Sequence, residues 1–262
     1  TETVMRWREQ QRRRRMLEGM WDVDLKRSLE KDYGPARVRS LGRRDTTKNL
    51  ARSTVSQLIC LYDQAPVIHH EDADAVAKMQ TICQQAGMWQ KAQHLAMLVV
   101  GCREALLRFH VHGPADAASL QVRVVPADLV DAFSDGDTPD VPYEVHEYRP
   151  RDVEGQEVWT RDVVSQTGPT YRVETTGGLD LSSVYEGVQS GPGYPYVDQE
   201  GQPVIPYVLY HALDCGRLWD SWRGVELFDG SLKVAGFWTQ WGGVVKDAGW
   251  PQRVLLNGRM QG

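Results

Sequence analysis

The stretch His69-His70-Glu71-Asp72-Ala73-Asp74 gathers metal-ligating residue types, the raw material of a divalent-metal or hydrolase cluster. Consecutive residues do not all point at one ion, so the plainer reading is a polar connection in which Asp72 or Asp74 caps the helix that follows. His110 and His112 stand two apart in a strand-like run and share a face, as in a metal-binding barrel or on the outer side of a sheet. Asp131, Asp135, Asp137 and Asp140 in "DAFSDGDTPD" resemble a calcium loop, without the closing bidentate Glu and the fixed glycine that chemistry needs. Four cysteines (Cys60, Cys83, Cys102, Cys215) sit singly with no C-x-x-C pair, and read as small buried hydrophobes of a reducing compartment. The phosphate-cradling G-x-x-x-x-G-K-[ST], the dinucleotide G-x-G-x-x-G and the nucleophile elbow G-x-S-x-G are all missing. We therefore expect no enzyme, no catalytic residues, no metal site and no cofactor.

Among the elements that must carry these residues, "TTKNLARSTVSQLICLYDQAPVI" predicts an amphipathic helix. Thr46 or Thr47 is its cap, Ala51, Val55, Leu58, Ile59 and Tyr62 its apolar positions, and Pro66 its stop. A second helix starts at Asp72 or Asp74 with Ala75, Val76, Met79, Ile82 and Cys83 on one face, breaks near Gly87, and resumes through Ala92, Leu95, Ala96 and Val99. After Gly101 the period falls to two: Ala105, Leu107, Phe109 and Val111 alternate with Glu104, Arg108, His110 and His112. Gly113-Pro114-Ala115-Asp116 then turns the chain into a strand over 120–125, making a hairpin. Further strands are expected over 143–149, 157–164 and 170–174, residues 175–195 as an exposed loop or flexible connection, a turn over 198–202, and a strand over 204–210. The pattern is α+β, an antiparallel sheet with helices to one side.

The composition is that of an ordinary globular chain, 41% hydrophobic and 25% charged, and no apolar run approaches a membrane span. With no cleavable signal pattern, we expect a soluble chain made in the cytosol. Charge is uneven: residues 1–52 hold 15 Lys or Arg against 8 Asp or Glu, within a net charge of -5. The block Arg12-Arg13-Arg14-Arg15 suits either a nucleic-acid contact or a solvated face on a basic leader spanning residues 1–45, where Met16, Met20 and Leu25 mark a weak helical pattern. Because the chain opens on Thr1, we read it as a piece of something longer.

Residues 219–247 have helical length and unusual content. Trp222, Val225, Leu227, Phe228, Leu232, Ala235, Phe237, Trp238, Trp241 and Val245 spread too widely around a helix for one stripe. Glycines at 224, 230, 236, 242 and 243 each cost up to about 1 kcal/mol inside a helix, a cost tolerable where a neighbouring backbone comes close. Lys233, Gln240 and Lys246 form a polar line. Such a helix suits packing against copies of itself, with Trp222, Phe237, Trp238 and Trp241 between subunits and the polar line left wet.

The order of these pieces resembles the N-terminal half of a tailed-bacteriophage portal protein. A helix carrying Asn49 ends at Pro66, and a hydrophobic helix passes through Gly101 into a strand pair. A "P-x-x-V" segment follows at Pro126 and Val130. A proline-bearing strand with Pro203 and Pro206 precedes the long helix, and Pro251, Val254, Leu255 and Gly258 follow it. The resemblance covers residues 45–260 and implies a portal-like fold: a helical and antiparallel-β wing over 46–210, a stem helix over 211–250, and the start of a clip over 251–262. A second stem helix, channel loop and crown are expected to lie outside this chain.

The same resemblance implies a ring, typically a dodecamer, at one capsid vertex, first in the host cytoplasm during assembly and then in the virion. Its expected partners are sister subunits, double-stranded DNA in the channel, the terminase motor, a head-tail adaptor and the major capsid protein, with no membrane. Lys233, Gln240 and Lys246 would face DNA. Two other readings stand beside this one: another virion structural protein of tail or baseplate, and a metal-dependent sheet enzyme using His110 and His112.

Overall fold

The computed structural model describes residues 2–41, 44–59, 66–112, 119–153, 155–185, 188, 193–220 and 222–249. Mixed helix and antiparallel sheet is the observed class, as the alternating periods predict. Two compact units divide the chain, and neither is continuous in sequence: one comprises Thr1–Arg14 and Thr54–Gly224, the other Arg15–Ser53 and the chain from Val225. The basic leader is helical: α1 (Glu2–Glu18), α2 (Asp22–Tyr33) and α3 (Pro35–Leu41) occupy it, and its residues are shared between both units.

In the first unit, two antiparallel sheets share one apolar core. The smaller contains β1 (Glu104–His112) between β2 (Ser119–Pro126) and β7 (Tyr207–His211). The larger runs β3 (Val130–Phe133), β4 (Glu144–Val153), β5 (Gln156–Ser165) and β6 (Thr170–Thr175) in sequence order, a plain meander. Leu106 and its cross-strand partner Val125 face the same core as Val130, Val145, Val164, Val173 and Tyr207. The helices α5 (Ala73–Gln85) and α6 (Met88–Cys102) pack as a pair, with α6 along β1 and β2. Asp72 caps α5 through the N–H groups of Asp74 and Ala75, and Gly87 takes the left-handed turn (φ 59°) that separates the two helices.

In this unit β1 is buried on both sides of its first half, with Glu104 and Arg108 only 0% and 4% exposed. Two expectations are corrected. The connection over 175–195 is not simply an exposed loop: Leu181, Val188 and Tyr194 insert into the core and Ser182–Val184 forms a short 3-10 turn. On α5, Met79 and Ile82 are exposed and Cys83 is the buried position.

In the second unit, α7 (Val225–Gly249) packs on α2 and α3. Trp21, Leu25, Leu29 and Val38 are buried, whereas Met20, grouped by spacing with Met16 and Leu25, is exposed. The helix α4 (Leu50–Leu58), which the division between the units crosses after Ser53, is capped by Asn49, whose Oδ1 accepts from the Arg52 N–H at 2.9 Å, and not by Thr46 or Thr47. Thr47 instead donates its N–H to Asp45 in an Asx turn. Of the apolar positions assigned to this helix, Ala51 and Val55 are buried, Leu58 is exposed, and Tyr62 lies outside the described residues.

Candidate assembly surface and the buried charge network

The long helix begins later than its composition suggests. Gly224 holds φ 75°, a left-handed conformation that a side chain opposes, and ends the preceding turn one residue before Val225. Trp222 therefore lies outside the helix, in that turn, where it is exposed.

One face of α7 is satisfied within its own unit. Phe228, Leu232 and Ala235 are buried. Ser231 Oγ accepts from the Ala51 N–H at 3.3 Å and Thr239 Oγ1 from the Asp45 N–H at 2.9 Å, so two loose backbone donors ahead of and inside α4 are paired by the helix. Gly236 and Gly243 lie on this side. A Cβ on Gly236 would stand 3.3 Å from Leu29 Cδ2, and one on Gly243 3.1 Å from Leu41 Cδ2. A Cβ at either position would press on a leucine methyl group of α2 or α3, so glycine lets these helices approach α7 closely. At Gly230 and Gly242 no described atom lies within 4 Å of where a Cβ would stand, so close packing among the described residues does not account for them.

The opposite face is apolar and open. Phe237, Trp238 and Trp241 are 60%, 42% and 53% exposed, and Val244 and Val245 are exposed beside them. Phe237 and Trp241, one helical turn apart, lie with rings nearly parallel at 6.4 Å, and Trp238 meets Phe237 edge-on at 6.0 Å. Lys48 places its ammonium 5.5 Å from the Trp238 ring centre. The spread of apolar residues around the helix is as expected, and the side carrying Phe228, Leu232 and Ala235 packs on α2 and α3 of the same chain.

The polar line needs correction as well. Lys233 and Gln240, seven residues apart on a regular α-helix, stay on one side; Lys246, six further on, is rotated about 120° from Gln240. Lys233 and Lys246 are exposed and Gln240 is half-buried. Pro251, Val254, Leu255 and Gly258 lie outside the described residues.

The basic block is paired within the chain, with Arg13 buried and Arg12, Arg14 and Arg15 half-buried. Arg12 and Arg13 donate to Glu9 at 2.9 and 2.8 Å, Arg14 pairs with Asp128 at 2.7 Å, and Arg15 pairs with Asp24 at 2.7 Å. Arg13 is fully buried and also donates to the Arg223 carbonyl at 3.0 Å. These arginines sit in a folded helix and spend their charge on carboxylates of the same chain, not in a free solvated arm.

The other candidate ligands do not converge. His70 Nδ1 accepts from the Asp72 N–H at 3.0 Å within an exposed connection, and Asp135 accepts from the N–H groups of Asp137 and Thr138 in a local turn. His110 Nδ1 meets the Tyr196 hydroxyl at 2.7 Å. Among the described residues no group of three or more His, Cys, Asp or Glu is arranged to hold a metal ion. Burial pushes the Cys102 thiol well above its ordinary range, the reverse of a reactive thiolate.

The densest polar site, which no sequence motif announces, lies in the first unit. Arg108 on β1 donates to Glu147 Oε2 at 3.0 Å, Asp162 Oδ2 at 2.6 Å and the Tyr171 hydroxyl at 2.7 Å. Asp162 also accepts from Arg149 at 2.8 Å and from Arg151 at 2.6 Å, while Glu147 accepts from Arg123 and, at 2.9 Å, from the Tyr207 hydroxyl. Burial favours the neutral guanidine of Arg108, but the neighbouring Tyr207, Glu147, Tyr171 and Asp162 outweigh it and hold the guanidinium more firmly charged than usual. The signal that could have revealed this network is Arg108 itself, a charge at a strand position alternating with apolar residues, with Glu147 and Asp162 on later strands.

Compared with protein-family models and with curated proteins, the chain matches none. No helix among the described residues is long and apolar enough to cross a membrane.

Proposed function

We propose that this chain is a subunit of a tailed-bacteriophage portal, the ring through which DNA enters and leaves the capsid. The observation that supports the reading most is the open aromatic face of α7. A helix clad on one side by α2 and α3 and left with Phe237, Trp238, Trp241, Val244 and Val245 on the other retains a self-complementary need for cover. Sister copies related by rotation supply that cover through a head-to-tail interface, which closes into a ring when the rotation allows. The order of helices, strand pair, proline-bearing strand and long helix supports the same reading.

In such a ring the subunit is a passive gateway. A separate terminase motor supplies the work of packaging, the major capsid protein surrounds the ring, and an adaptor later joins head to tail. Lys233 and Gln240, on one side of α7, meet DNA phosphates loosely, because closely spaced charge contacts would hold the duplex against sliding. Lys246 sits on a different side and is a weaker candidate for that role.

Electron microscopy of the purified, assembled particle tests the proposal directly. A closed ring with an open axial channel, near twelve-fold symmetry, is the expected image. A monodisperse monomer at high concentration, or a filament without a channel, would overturn it. Charge reversal at Lys233 supplies a second test: Lys233→Glu is expected to leave ring assembly intact and slow DNA passage.

A further inference from the structure

A cavity of about 330 Å³ lies in the first unit beside the buried charge network, with Lys91, Arg108, His110, Gln121, Arg123 and Arg149 in its lining. These side chains come from α6, β1, β2 and β4, so the fold and not a local sequence run assembles them. None of the described lining residues is a carboxylate.

The charges around the cavity do not balance. Among the described residues two carboxylates, Glu147 and Asp162, serve four guanidinium groups: Arg108 on both, Arg123 on Glu147, and Arg149 and Arg151 on Asp162. Both carboxylates are buried and crowded with donors, since Glu147 also accepts from Tyr207 and Asp162 takes Arg151 on both oxygens. Lys91 adds a further cation whose hydrogen-bond acceptor is the neutral Ala86 carbonyl, at 2.5 Å. Arg149 spends one terminal nitrogen on Asp162, and among the described residues its Nε has no acceptor. Positive charge held partly out of water is costly unless an anion meets it.

We infer that this cavity binds a dianionic phosphate, as inorganic phosphate or as a terminal phosphomonoester, held by Lys91, Arg123 and Arg149 above Arg108. Planar guanidinium groups present paired donors to phosphate oxygens, and a lysine adds a point charge. The cations outnumber the two carboxylates by three, so a dianion offsets more of that excess than a carboxylate or the single charge of one phosphodiester does. Gln121 contributes a neutral donor at the same wall.

The test is calorimetric titration of the full chain with inorganic phosphate, against chloride at matched ionic strength. Saturable binding of one phosphate per chain is expected, weakened by about tenfold or more in Lys91→Gln and in Arg123→Gln, the loss of one charge-assisted hydrogen bond. Lys91→Gln leaves the Glu147 and Asp162 contacts in place, so its folding, checked by circular dichroism, is expected to match the parent. Lys78→Gln, on an exposed part of α5, is the control and is expected to bind phosphate as the parent does. Absence of saturable binding, or equal affinity in parent, Lys91→Gln and Arg123→Gln, overturns the inference. A short duplex without terminal phosphates that displaces the bound phosphate overturns the monoester assignment in favour of a phosphodiester.

Discussion

Arg108 on β1 and Asp162 on β5 meet at 2.6 Å, an ion pair that joins two separate sheets through the core they share. Neither residue is more than 4% exposed. Such a pair contributes little relative to an apolar replacement of both partners, yet removing one partner strands the other without water. Asp162→Asn would leave Arg108, Arg149 and Arg151 around a neutral amide. The expected loss of stability is about 3–5 kcal/mol, read as a lower urea midpoint. An unchanged midpoint would show that the network is not what holds the sheets together.

Tyr196 sets an alkaline limit. Burial, the largest cause, pushes its phenol up to about 12, with Arg108 working in the opposite direction. The folded-state value lies above the ordinary one near 10. The neutral phenol's contribution is therefore fully present below pH 10 and is lost as pH rises from about 10 to 12, because the unfolded chain ionises first. Tyr171 and Tyr207 shift in the same direction, also chiefly through burial. Unfolding midpoints measured across that range are expected to fall, and to fall less steeply in Tyr196→Phe. Identical slopes in parent and variant would mean that Tyr196 has no part in the limit.

Two glycines of α7 should respond oppositely to substitution. At Gly236 a larger side chain drives into Leu29, so Gly236→Leu is expected to destabilise by about 1–3 kcal/mol through overpacking. At Gly230 a methyl group meets no described atom within 4 Å, and Gly230→Ala is expected to gain about 0.5–1 kcal/mol of helix stability. Thermal unfolding of both variants decides this. A stabilised Gly236→Leu would mean that α2 and α7 are not held at this distance.

The open face of α7 makes a separable prediction about association. Phe237→Glu combined with Trp241→Glu touches side chains that are mostly exposed, so the subunit is expected to keep its circular dichroism spectrum and its stability within about 0.5 kcal/mol. Sedimentation should show the parent associating and the variant remaining a monomer. Association that survives both charges would place the subunit contact elsewhere.

Local order was legible in the sequence because it depends on spacing and short-range chemistry. The cap at Asp72, the break at Gly87, the hairpin after Gly101 and three of the meander's four strands follow from periodicity, from glycine and from turn residues. Length and aromatic content likewise marked α7 as a helix with apolar residues on more than one side. What lay beyond the sequence was which distant surfaces meet. Only the tertiary structure decided that α2 and α3 cover one side of α7, that Arg12 to Arg15 pair with Glu9, Asp128 and Asp24, and that Glu104 and Arg108 point inward. Period two in β1 distinguishes two faces but not which is wet, because a second sheet or solvent can lie against either. The physical reason is that a charge is solvated or buried according to partners dozens of residues away, and those contacts exist only once the chain has folded.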